Sequence, residues 1–321
     1  MNSTKPDVSV IIVAWNVGDL LAECLRSLQA ASQDIRTEIV VVDNGSVDRT
    51  AQLVERQFPH VRLIVNEENI GFTRGNNLGI KQSSGRYILL LNADTVVRPD
   101  TLERLVGFMD ETPDAGIAGC KQTYADGSWQ PTCHRMICLK REAIVAAGLS
   151  KVFPQLVDYG DLPLKATEAF RVDWVGGACL MMRRQVAEQV GLLDESIFIY
   201  GEDADLCERA RNAGYSVYYL PGVSIVHHRG QSDTRSAELT PSVDYSALRL
   251  KFIGRRYVIE KHYGNLKGDF YYAFMVVRIV RMLLQDSVSL LLPQPVSRTR
   301  ALSVRRRECL AMLKAALTGR M

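Results

Sequence analysis

Tyr87-Ile88-Leu89-Leu90-Leu91-Asn92-Ala93-Asp94 is the stretch that decides the fold. An apolar run without alternation reads as a strand buried on both faces, and here a carboxylate follows where the strand reaches a loop. Open α/β sheets bind ligands at such ends. Two further strands finish in the same way: residues 8–14 run into Trp15-Asn16, and residues 38–42 run into Asp43-Asn44-Gly45-Ser46. Three strand ends thereby carry polar groups toward one rim.

Between these strands, residues 18–31 set Leu20, Leu21, Cys24, Leu25 and Leu28 at helical spacing. Ser46 precedes a second helix, expected over 48–58, and stands where it can cap the free amides. Residues 61–65 supply another strand. Strands alternating with helices predict a largely parallel sheet covered on both faces. The turn Trp15-Asn16-Val17-Gly18-Asp19 lacks the glycines that bring a dinucleotide pyrophosphate to a helix start, and no phosphate loop occurs. Asp43 can accept hydrogen bonds from a base or ribose, or cap the loop after it.

The 321 residues, 47% hydrophobic and 23% charged, suffice for one large domain or a domain with an appendage. Seven cysteines, an odd number without a regular framework, suit a reducing compartment. Cys133 and Cys138 read as structural thiols. The first apolar run is too short for a signal peptide or a membrane span, so the catalytic part is expected in the cytosol.

The net charge of +3 conceals a division. Residues 241–321 hold 15 Lys and Arg against 5 Asp and Glu, a charge of +10, which leaves −7 on residues 1–240. We expect a catalytic domain over 1–240 and a basic helical region over 241–321. Within the latter, residues 271–292 are mostly apolar, with Arg278, Arg281, Gln285 and Ser289 spaced as one polar stripe of an amphipathic helix. Lys251, Arg255, Arg256, Lys261 and Lys267 precede it; Arg298, Arg300, Arg305, Arg306 and Arg307 follow it. Attachment to an anionic membrane surface is the expectation, packing onto the body the alternative. Nucleic acid is not an expected partner, because the tail lacks aromatic stacking motifs interleaved with its charges and residues 271–292 are too apolar for a solvent-exposed arm.

Several further motifs follow along the chain. They are Asn69-Ile70-Gly71-Phe72 with Arg74-Gly75-Asn76-Asn77, Trp174-Val175-Gly176-Gly177-Ala178, Gly201-Glu202-Asp203-Ala204-Asp205-Leu206 and His227-His228-Arg229-Gly230-Gln231-Ser232. With the three strand ends they span residues 8–232. The chain resembles family 2 glycosyltransferases of the GT-A nucleotide-sugar-binding fold, and among them the bacterial rhamnosyltransferase-like members. That resemblance implies an α/β architecture, a mostly parallel Rossmann-like sheet with helices on both faces, here followed by a basic amphipathic helical appendage.

The resemblance also implies roles. The donor, a nucleoside diphosphate sugar, would meet Asn16, Asp43, Asn44, Arg74, Asn77, Asn92, Asp94, Trp174, Gly176, Gly177 and Arg229. Asn76 and Asn77 read as a loop entering a helix that ends near Ser83. Trp174 offers an apolar wall, or simply packs in the core. The family's aspartate signature holds a divalent cation; here its first acidic position is Asn92, so Asp94 alone supplies charge. Mg²⁺ or Mn²⁺ fits such oxygen ligands, with His227, or His228 beside it, completing the site. Asp203 would be the base of an inverting transfer, with Glu202 supporting it or touching acceptor. The alternative is that both merely suit a first helical turn. The expected reaction moves one sugar, rhamnose as the single best guess, onto a hydroxyl of a cell-envelope glycan or its polyprenyl-linked precursor. It would take place at the inner face of the cytoplasmic membrane. The competing class is a non-catalytic glycan- or nucleotide-binding protein on the same fold. Residues 120–173 carry little sustained periodicity.

Overall fold

The computed structural model describes residues 5–228, 247–290 and 296–317. Strand and helix alternate from the start: β1 (Val8–Ala14), α1 (Gly18–Ala31), β2 (Thr37–Asp43), α2 (Thr50–Gln57), β3 (Arg62–Val65), α3 (Phe72–Lys81) and β4 (Tyr87–Leu91). There follow β5 (Thr95–Val97), α4 (Thr101–Glu111), β6 (Ala115–Thr123), and the short β7 (Trp129–Gln130) and β8 (Cys133–His134). Next come α5 (Leu139–Ala146), a 3₁₀ turn (Leu149–Lys151), α6 (Pro154–Val157) and α7 (Leu162–Lys165). The chain then re-enters the sheet through β9 (Phe170–Val172), β10 (Trp174–Val175) and β11 (Cys179–Arg183). After α8 (Arg184–Val190) and α9 (Glu202–Asn212) runs the long β12 (Ser216–His227). Three helices close the described chain: α10 (Ala247–Tyr263), α11 (Asn265–Leu290) and α12 (Val296–Leu317).

The main sheet has the order β3-β2-β1-β4-β11-β6-β12-β5, with β7 on β6 and β9 on β12. Strands β3, β2, β1 and β4 run parallel. Strand β11 then runs antiparallel to both β4 and β6, so the sheet is mixed beyond its N-terminal half. Because β2, β1 and β4 are parallel neighbours, their C-terminal ends share one rim, as the three strand ends required.

Alternation along β1 shows why helices cover both faces. Val10 and Ile12 join the core cluster that includes Leu21, Leu25 and Leu28 of α1. Ile11 and Val13 point the other way, beneath α3, where Gly79 and Gly75 leave room for them: a Cβ at Gly79 would lie 2.5 Å from Ile11 Cγ2. Gly75 and Gly79 therefore serve close helix-to-sheet packing, whereas Gly71 leaves room for Phe198.

Two local expectations change. Ser46 does not cap α2; its Oγ donates to Asp43 and accepts from the Asn16 amide at 2.9 Å, while Asp48 Oδ1 takes the Thr50 amide at 2.9 Å. Asn76 and Asn77 lie inside α3 rather than in a loop, because the helix starts already at Phe72, after Gly71 at φ +92.

The residues group into two units. Among the described residues, the first comprises 5–136 and 161–228, and the second 137–160, 247–290 and 296–317. Within the second, α5, α10, α11 and α12 pack together. Tyr271, Met275 and Ile279 of α11 are buried, and Arg305 of α12 pairs with the buried Asp286 of α11. Arg281 donates to the carbonyls of Ala146 and Val145 at 3.0 and 3.2 Å, satisfying the C-terminal end of α5. Arg278 lies 5.3 Å from the ring centre of Phe252 in α10. The two arginines of the expected polar stripe thus turn inward. The exposed side of α11 instead carries Leu266, Phe270, Val277, Val280, Leu284 and Val288, which fall within about 80° of arc at 100° per residue. No helix among the described residues is long and apolar enough to cross a membrane.

Candidate active site

The rim site starts at β1 and β2. Asn16 adopts φ +56, a left-handed conformation that asparagine tolerates better than most residues. Its Oδ1 accepts from the Val47 amide at 2.8 Å, and its buried Nδ2 has no partner among the described residues. Asp43 is buried beside it, and burial raises its pKa above the ordinary carboxylate range while Ser46 pulls the other way.

Other expected donor contacts hold main chain. Asn44 Nδ2 donates to Asn69 Oδ1 at 2.9 Å and to the Gly71 carbonyl at 3.1 Å, and its Oδ1 accepts from Asn66 at 3.0 Å. Asn77 is similarly engaged with Leu193, through N–H donation at 2.9 Å and acceptance at 3.1 Å, and with Glu195 at 3.0 Å. Arg74 is exposed and lies 3.8 Å from Glu195. Asn44 and Asn77 fasten α3 to its surroundings, whereas Asn16 and Asp43 occupy the rim.

At the end of β4, Asp94 meets the end of β12. The register pairs His227 with Thr95, which brings His227 Nε2 to 3.3 Å from Asp94 Oδ1 and 3.3 Å from Asn92 Nδ2. His228 donates its amide to the Asp94 carbonyl at 2.8 Å, but its ring faces Glu23 at 3.9 Å. Of the two histidines, then, His227 presents its ring to Asp94. Arg229 and the Gly230-Gln231-Ser232 run lie outside the described residues, as do the side chains of Arg298 and Arg300.

These groups suit a divalent cation. Asp94 offers a hard anionic oxygen, His227 a borderline nitrogen, and Asn92 Oδ1 is buried without a partner among the described residues. No cluster of three or more His, Cys, Asp and Glu side chains forms a metal site among the described residues. Asp94 and His227 would be the ligands the protein supplies, with Asn92 as a neutral third.

The carboxylate pair stands at the start of α9, after Gly201 at φ +116. Asp203 Oδ1 accepts from the Ala204 amide at 2.8 Å, and Oδ2 from the Gly177 amide at 3.1 Å. Glu202 is buried, and its Oε2 has no partner among the described residues. Burial, and then the neighbouring Asp203 charge, push the Glu202 carboxyl up to about 8. Burial raises Asp203 as well, against the pull of the two amides and His134. The charge on Asp203 is itself one of the causes that raise Glu202, so Glu202 holds its proton in preference to Asp203.

Residues 174–178 join the two clusters. Trp174 donates Nε1–H to the Arg135 carbonyl at 3.0 Å and packs 4.3 Å from the His134 ring. The Gly176 amide donates to the Thr132 carbonyl at 2.8 Å. Gly177 reaches Asp203, and the Ala178 carbonyl accepts from the Asn92 amide at 3.1 Å. Sequence reasoning missed Gln130 of β7, which grips His227 at two points. A polar residue in a two-residue strand leaves no periodic signal.

An α/β sheet whose strand ends carry a paired Asp and His, beside a carboxylate pair at a helix start, is an arrangement suited to a group-transfer enzyme. The family model of glycosyl transferase family 2 matches residues 9–191, and the chain belongs to that family. It is 30% identical over 240 residues to the N-acetylglucosaminyl-diphospho-decaprenol L-rhamnosyltransferase of Mycobacterium tuberculosis H37Rv, covering 70% of this chain and 77% of the relative. It is 25% identical to the low-salt glycan biosynthesis hexosyltransferase Agl10 of Haloferax volcanii, over 89% of this chain and 88% of the relative. Among solved structures, the mannosyltransferase PcManGT of Pyrobaculum calidifontis, in complex with GDP-Man and Mn²⁺, superposes with a TM-score of 0.52 at 18% identity. That match covers 97% of this chain and 88% of PcManGT. GalNAc-T7, crystallised with UDP, GalNAc and Mn²⁺, matches at 0.58 and 15% identity, over 99% of this chain and 58% of that one. Both are glycosyltransferases, and the shared fold is GT-A.

Proposed function

We propose that this enzyme transfers a single sugar, with inversion, from a nucleoside diphosphate donor to a hydroxyl of a lipid-linked cell-envelope glycan. The observation that carries the proposal is the Asp203–Gly177–Ala178–Asn92 connection. It holds a charged carboxylate at a fixed place relative to the Asp94 and His227 pair. Asp203 accepts the proton from the acceptor hydroxyl as its oxygen bonds to the anomeric carbon. On the opposite side the bond from that carbon to the diphosphate oxygen breaks, and the nucleoside diphosphate leaves with the electron pair. Glu202, neutral at pH 7, leaves Asp203 as the charged partner. Asp94 and His227, with Asn92, would hold Mg²⁺ or Mn²⁺, which when bound offsets charge developing on the leaving diphosphate. Asn16 and Asp43 meet the nucleoside at the rim of β1 and β2. A binding protein would have no use for a buried carboxylate pair that retains one charge.

The decaprenol-linked acceptor and the L-rhamnosyl group named for the mycobacterial relative supply the acceptor class and donor sugar of this reading. The C-terminal unit supports action at a membrane surface: α11 exposes Leu266, Phe270, Leu284 and Val288 in one stripe, with an excess of basic residues over 241–321. Incubation with deoxythymidine diphosphate rhamnose, competing sugar nucleotides and a polyprenyl diphosphate glycan tests the reaction. The expected product carries the anomeric configuration opposite to that of the donor, read from one-bond carbon–proton coupling. Retention of configuration would overturn the mechanism.

A further inference from the structure

We propose that Gln130 is a positioning residue that fixes which nitrogen of His227 carries the proton, and so aims a lone pair at Asp94. The proposal rests on the reading of Asp94 and His227 as a cation site. Gln130 lies on β7 and is 1% exposed. Its Nε2 donates to the main-chain carbonyl of His227 at 2.6 Å. A carbonyl only accepts, so the amide atom facing it is the NH₂ group; the reverse orientation would set two oxygens at that distance. Gln130 Oε1 therefore lies 3.1 Å from His227 Nδ1. An amide oxygen also only accepts, and Nδ1 must carry the hydrogen.

A neutral imidazole has one N–H, which leaves the lone pair on Nε2. Asn92 Nδ2, 3.3 Å from Nε2, points a donor at that lone pair; an N–H on Nε2 would oppose it donor to donor. The Nε2 lone pair and Asp94 Oδ1, 3.3 Å apart, then face each other as two acceptors. A divalent cation held by both residues would offset that repulsion. Asn92 can join by turning its amide, since Oδ1 has no partner to lose among the described residues. Gln130 thus does for His227 what carboxylates and carbonyls do behind many metal-bound histidines, setting tautomer and ring orientation together.

The test uses the full chain with ¹⁵N-labelled histidine. His227 is assigned by difference from His227→Gln, and its tautomer is read in metal-free protein at pH 8.5 from two-bond nitrogen–proton couplings. Mn²⁺ affinity is measured in parallel by electron paramagnetic resonance. Wild type should show Nδ1–H. Gln130→Leu should lose that tautomer preference and bind Mn²⁺ roughly 10- to 100-fold more weakly. An Nε2–H tautomer in wild type would overturn the proposal. So would a Gln130→Leu protein, folded by circular dichroism, with unchanged tautomer and unchanged Mn²⁺ affinity. Nδ1–H in wild type, lost in Gln130→Leu, with no Mn²⁺ binding by either protein, would uphold Gln130 as the tautomer lock and overturn the cation site.

Discussion

The amide of Gly177 donates to Asp203 Oδ2 at 3.1 Å, and the next residue's carbonyl accepts from the amide of Asn92 at 3.1 Å. One short stretch of backbone thus fixes a carboxylate of α9 against the end of β4. A Cβ at Gly177 would lie 3.9 Å from Asp203 Cβ and from Phe72 Cε1, so the stretch passes close to both without a side chain of its own.

Glu202 makes stability depend on pH. Its folded pKa of about 8 stands above its ordinary value of 4.5, so the folded protein holds a proton that the unfolded chain gives up between those values. Stability therefore falls as pH rises through that window, and Asp203 shifts in the same direction. Melting temperature should drop between pH 5 and pH 9, and Glu202→Gln should flatten the drop. Parallel pH profiles for wild type and variant would refute the buried pair.

Gly79→Ala tests the seating of α3 on β1. Alanine favours helix by about 1 kcal/mol, but the new Cβ would stand 2.5 Å from Ile11 Cγ2, a branched methyl on a buried strand. Overpacking should prevail, with a net loss of about 1–3 kcal/mol in urea unfolding. A gain in stability would mean that the helix sits farther from the sheet.

The exposed stripe of α11 predicts membrane affinity. Phe270→Glu with Leu284→Glu, at positions 52% and 63% exposed, should abolish flotation with anionic liposomes while leaving melting temperature unchanged. Equal flotation of variant and wild type would remove α11 from the membrane account.

The three strand ends were legible because unbroken apolar runs stop abruptly at Asn16, Asp43 and Asn92, and parallel pairing places those stops side by side. The inward turn of Arg278 and Arg281 was not. Periodicity locates a polar stripe but not what it faces, and here the stripe meets the carbonyl end of α5. Part of the weakly periodic stretch 120–173 resisted reading for a related reason. Leu149, Val152, Phe153 and Leu156 remain exposed, so residues 149–156 present no buried face that would impose a period. Asn44 and Asn77 show a further limit, since a motif locates an amide without revealing that main chain already occupies it.

In the proposed reaction Asp203 takes the acceptor proton. The most direct measurement is turnover by mass spectrometry with a sugar nucleotide panel, Mn²⁺ or Mg²⁺ and a lipid-linked glycan, comparing wild type with Asp203→Asn. Loss of roughly 10²- to 10⁴-fold in rate, with donor affinity by calorimetry unchanged, is the expected result. Near-normal turnover by Asp203→Asn would contradict the account.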